Sequence, residues 1–202
     1  MLVDWIKFVP ALLLLLTPIV WFHQRKVRYR PVGREWSEHW RQILGLGLHT
    51  IDFVRAILGG WLLAEALSPL AGATGTWRHA PTLTQGILQL TAVVLQSVLC
   101  RERGATHAPF TFVAGLLLGS FPLAISGLAV LLAITVAAGA RMPGTFFPVL
   151  SIALLAIGLL LGGRPMLPSL VLGAIAAGSP WMWTLLFVRR LVYSYRAKRP
   201  AA

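Results

Sequence analysis

His49, Asp52 and Arg55 recur every third residue inside a long, otherwise mostly apolar stretch that begins at Arg34 and ends at Leu67. At about 100° per residue they occupy successive turns on one side of a helix. Asp52 thus has a titratable imidazole three residues before it and a guanidinium three residues after it. A carboxylate at bilayer depth costs about 3 kcal/mol or more unless it is neutralised or paired. Two kinds of chemistry fit such a set. One is proton relay, ion binding or headgroup binding. The other is a self-neutralised triad that locks helices together, and the ready-made partners favour it. A second polar constellation, Gln85, Gln89 and Gln96, shares one helical face downstream. In lipid such a seam must face protein or water. The expectation is that it packs on the polar face of the preceding helix, with Gln96 bonding His49 or Asp52.

Other chemistry is not signalled. The five histidines have no His-x-x-x-His pair, and Cys100 is the single cysteine, which rules out a disulfide within the chain or a thiolate cluster. Phosphate-binding glycine loops, Gly-x-Ser-x-Gly and His-Glu-x-x-His are absent from the sequence. With six acidic residues in all, a carboxylate set for a divalent metal is not in view. No catalytic residue, metal or cofactor is therefore expected.

The elements that must position these residues are apolar helices. The chain has 202 residues, of which 57% are hydrophobic, and a mean hydropathy of +0.76. This reads as an all-α, polytopic helical membrane protein in a single integral membrane domain. Spans are expected at about 5–22, 43–67, 82–99, 145–162 and 167–188. The run 109–140 is long for one span and short for two. Gly119-Ser120-Phe121-Pro122 argues for a turn there, so 109–140 is read as a short broken or re-entrant hairpin. That makes six to seven membrane segments. The first span lacks a basic leader and a small-residue cleavage site, so a retained anchor is expected. A weaker pattern is an echo between Pro109…Gly119-Ser120-Phe121-Pro122 and Pro168…Gly178-Ser179-Pro180, in which both segments would break.

The helix from Arg34 has two faces. His49, Asp52, Ala56, Gly59, Gly60 and Leu63 form a small, polar one; Ile51, Val54, Leu58 and Trp61 form a large, apolar one. In lipid the small face should meet other helices. Trp36 and Trp40, with charges opposite, mark an interfacial amphipathic helix in the loop 23–42.

The net charge of +12 follows the loops. Arg25, Lys26, Arg28 and Arg30 sit between the first two spans, and the tail 189–202 is basic. The positive-inside rule then puts the N-terminus outside and the C-terminus in the cytoplasm, for a bacterial inner membrane. Partners expected are the bilayer and anionic headgroups, contacted by Arg25, Lys26, Arg28, Arg30, Trp36 and Trp40, and a homo- or hetero-oligomer. Nucleic acid is not expected. The favoured function is a non-catalytic subunit or assembly partner of a membrane complex. The alternatives are a small transporter that uses the Asp52 face and a lipid-headgroup enzyme at the cytoplasmic interface.

Overall fold

Asp4 starts the first helix by accepting from the Ile6 amide, as N-cap carboxylates do. Pro18 follows its end. The computed structural model describes residues 3–18, 27–32, 47–68, 79–99 and 104–196. Among these are seven α-helices: α1 (Trp5–Leu16), α2 (Gly47–Leu67), α3 (Ala80–Val98), α4 (Phe110–Ser120), α5 (Leu123–Gly139), α6 (Phe146–Gly162) and α7 (Leu167–Leu186). Three short strands, β1 (Val27–Pro31), β2 (Ala105–His107) and β3 (Arg190–Arg196), form one sheet in the order β1-β3-β2. The described residues are all-α in class, as expected, and the small sheet is an addition that the sequence did not signal. β3 pairs antiparallel with β1, from Val27 opposite Arg196 to Pro31 opposite Val192. It pairs parallel with β2. Val192 and Tyr193 at the centre of β3 are buried.

The described backbone breaks within 109–140 at the expected turn. The α4 helix ends at Ser120, Phe121 is extended, and α5 begins after Pro122, which has no amide to donate. The two arms run in opposite directions. Phe110, at the start of α4, stacks on Phe147 at 4.9 Å and meets Phe146 edge-on. Gly144, beyond the end of α5, lies against Leu191 of β3. Ile125, at the start of α5, is instead beside Gly162 at the far end of α6. The same logic orders the rest. The amide of Asp4 bonds the Ala66 carbonyl, so α1 and α2 are antiparallel. Gly115 meets the Phe53 carbonyl and Gly119 the Ile57 carbonyl, so α2 and α4 are parallel. Each helix therefore reverses the direction of the one before it, and α1, α3, α5 and α7 all run toward the sheet.

The helices pack in two groups. α2 lies between α1 and α4, while α3, α7, α6 and α5 follow one another. Small residues set the close approaches. A Cβ on Gly115 would come within 2.5 Å of the Phe53 carbonyl oxygen. Ser151 ties α6 to α7 by donating to the Ala174 carbonyl at 2.8 Å, the kind of polar link helices use in lipid. The echo between 109–122 and 168–180 does not survive: α4 stops before Pro122, whereas α7 continues through Pro180.

Two described stretches, Pro143–Gly162 and Arg164–Leu186, are long and apolar enough to cross a membrane. α1, α4 and α5 are apolar but shorter. Among the described residues, length and composition alone thus support two crossings. Pro18 and Pro122 cut two of the expected spans short, and α2 and α3 are diluted by the polar residues of the site.

Candidate functional site

The polar face of α2 is the packed one. His49, Asp52, Ala56 and Leu63 are buried, whereas Ile51, Val54, Leu58 and Trp61 are 45–55% exposed. Gly59 faces Leu14 and Leu15 of α1, and Gly60 faces Leu116 and Ser120 of α4. The expected neighbour for this face was α3. It is α1 and α4 instead, and α3 packs mainly on α7.

Arg55 is the centre of the cluster. One terminal nitrogen donates to Asp52 Oδ1 at 2.6 Å. The other donates to the Thr17 carbonyl just past the end of α1. Its guanidinium carbon lies 5.3 Å from the centroid of the Phe112 ring on α4, within cation–π range. One side chain thereby links α1, α2 and α4. The last carbonyls of a helix lack intrahelical donors and carry the negative end of its dipole, so a guanidinium is a suitable cap for α1. Gln96 adds to it, its amide nitrogen lying 3.5 Å from both the Leu15 and the Thr17 carbonyls. Gln96 therefore helps to cap α1.

His107 completes the group. It lies in β2, between the expected spans 82–99 and 109–140, and it is buried. Burial, first, and the neighbouring His49, second, push its imidazole down to about 3, against a hydrogen bond with the Gln96 backbone. It is a neutral ring at ordinary pH. A buried histidine next to the sheet had no signal in composition or spacing.

The remaining expected residues divide as follows. Gln89 is buried, and its amide nitrogen has no hydrogen-bond partner among the described residues. Gln85 is half-buried at the same helix face. Arg28 and Arg30 fall in β1, in register with Tyr195 and Tyr193. Arg25, Lys26, Trp36 and Trp40, with the amphipathic helix they define, lie outside the described residues. Glu65 pairs with Lys7 of α1 at 3.4 Å. No group of three or more His, Cys, Asp or Glu placed to hold a metal occurs among the described residues.

Beside the cluster lies a pocket of about 270 Å³ between α2 and α4 on one side and α5 and α6 on the other. His49 reaches its edge. Asp52, Arg55 and the glutamines are not among its described walls.

No protein family, curated protein or solved structure matches this chain.

Proposed function

We propose that the chain is an integral membrane protein with seven segments, its N-terminus outside and its C-terminus in the cytoplasm, and that it serves as a non-catalytic subunit or assembly partner of a membrane complex. The alternation of helix directions supports the topology. So does the distribution of charge among the described residues: Asp4, Lys7, Glu65 and Arg164 balance one another at the end away from the sheet, whereas Arg141, Arg189 and Arg190 lie at the sheet end. The outward faces are apolar. Leu131, Ile152, Leu160 and Leu186 are 61–83% exposed, as residues turned toward acyl chains would be. The α4 helix is too short for the hydrocarbon layer, at about 16 Å for its length. Its irregular continuation at Phe121–Pro122 packs against protein, where Gly173 meets the Phe121 ring, and non-helical backbone at depth is tolerated in such surroundings.

The observation that carries the non-catalytic reading is the Arg55 cap. Its charge is spent on Asp52 and on the end of α1, so the polar face acts as a helix lock. The test uses cysteine at position 52 or at position 56, the fully buried alanine one turn away, in a Cys100→Ser background. A small membrane-impermeant thiol reagent is applied from each side. Folded protein that does not label supports the lock. Labelling from either side would mean water reaches the face, and the transporter reading would take its place. Reporters fused after Ser68 and after Ala202 should report opposite sides of the membrane.

A further inference from the structure

α4 and α5 leave their shared turn for different partners, α2 and α6, and the gap between them is the pocket of about 270 Å³. Ala114 and Leu118 of α4 face it from one side, Val130 and Ile134 of α5 from the other, with Thr50 and Thr111 toward the sheet end. Thr50 and Ile134 are exposed and mark where it opens. The walls between are carbon. Apolar cavities exclude water, and an empty one leaves its lining atoms without partners. A narrow apolar slot with a polar edge is the usual form of a site for an apolar ligand.

Charge identifies the other end of that ligand. Arg141 is exposed in the turn between Ile134 and Phe146, both lining residues. Arg190 is exposed at the same end. The one described acid there, Asp52, is already engaged by Arg55. Exposed guanidinium groups at the same end as the mouth of a carbon-lined slot match an anionic headgroup above a hydrocarbon chain. We infer that this pocket holds one acyl chain of an anionic phospholipid, its headgroup at the sheet end beside Arg141. The inference rests on the bilayer reading above.

The experiment reconstitutes the full chain into phosphatidylcholine vesicles containing a trace of phosphatidylglycerol with a diazirine at the end of one acyl chain. Labelled sites are mapped after irradiation. Ala114 is only 7% exposed, so labelling on 110–118 reports entry into the pocket, whereas labelling at Leu160, 83% exposed, reports bulk lipid. The expected result is label at both places. Excess unlabelled phosphatidylglycerol should suppress the α4 label several-fold more than phosphatidylcholine does. Ala114→Phe, or Val130→Phe from the opposite wall if the first does not fold, should remove the α4 label and leave that at Leu160. Label at Leu160 without label on α4 overturns the pocket. Equal competition by phosphatidylcholine overturns the anionic headgroup. Absence of label at Leu160 as well would count against the bilayer reading itself.

Discussion

Arg55 Nη2 and Asp52 Oδ1 lie 2.6 Å apart, one turn from each other on α2, with both side chains about nine-tenths buried. The pair is local, but its effect is not, because the same guanidinium holds the carbonyl of Thr17 past the end of α1. Breaking a buried pair by removing one partner costs about 3–5 kcal/mol, mostly through the charge left behind.

Arg55→Leu should therefore destabilise by about 3 kcal/mol or more, leaving both Asp52 and the end of α1 without their donor. Asp52→Asn keeps an acceptor for Arg55 and should cost about 1–2 kcal/mol. Because the residues act together, the double variant should cost less than the sum, with a coupling of about 1 kcal/mol or more. Denaturant unfolding in detergent measures all three. Strict additivity would show that the two side chains do not work as a unit.

The second prediction concerns the α2–α4 contact. A Cβ on Gly119 would collide with the Ile57 carbonyl, and one on Gly115 with the Phe53 carbonyl. Backbone cannot move aside as a flexible side chain can. Gly119→Ala should separate the helices at a cost of about 1–3 kcal/mol. Gly127, inside α5, is the control, since the nearest atom to its Cβ would be Leu123 Cδ1 at 3.8 Å. Gly127→Ala should be neutral or stabilising by about 0.5–1 kcal/mol, as expected for a helix interior. Equal effects at the two positions would remove the close-approach argument.

These two sites show what was legible in the chain. The spacing of His49, Asp52, Ala56 and Gly59 indicated which face of α2 packs, because a helix repeats every 3.6 residues. Gly119-Ser120-Phe121-Pro122 was readable as the turn. What the spacing could not state is which face meets which. Neighbours in sequence suggested α2 on α3, yet the backbone of α2 fits the glycines of α4. The sheet was hidden for a related reason. β1 and β3 join residues at opposite ends of the chain, and their arginines read as topology signals, although Arg28 and Arg30 alternate with Tyr29 and Pro31 as a strand would. His107 became a buried group only once that sheet formed.

The third prediction tests the sheet. Tyr193 is fully buried and Val192 nearly so. The Val192 carbonyl also accepts from the Ala108 amide at 2.8 Å, which ties the entry of α4 to β3. Tyr193→Ala should cost about 3–5 kcal/mol, the range for removing a large buried aromatic side chain. A chain truncated after Arg189 should lose at least as much. Wild-type stability in either variant would show that the C-terminal strand is not part of the folded core.

The fourth prediction is a pH dependence. His107 is pushed down to about 3 in the folded protein, against an ordinary value of about 6.5 in an unfolded chain. The folded state therefore stays unprotonated at this site while the unfolded state takes up a proton as pH falls below about 6.5. The stability tied to this group is fully present above about 6.5 and is lost progressively as pH falls toward about 3, by up to about 1.4 kcal/mol per pH unit. Lowering the pH from 7.5 to 5 should then reduce the unfolding free energy by about 2 kcal/mol. His107→Gln keeps an amide donor for the Gln96 backbone and has no proton to gain. It should flatten the profile between pH 7.5 and 5, a window chosen to lie above the range in which ordinary carboxylates titrate. Denaturant titrations of both proteins at the two pH values decide the matter. An equally steep profile in His107→Gln would place the pH dependence elsewhere and leave His107 as a ring held by packing alone.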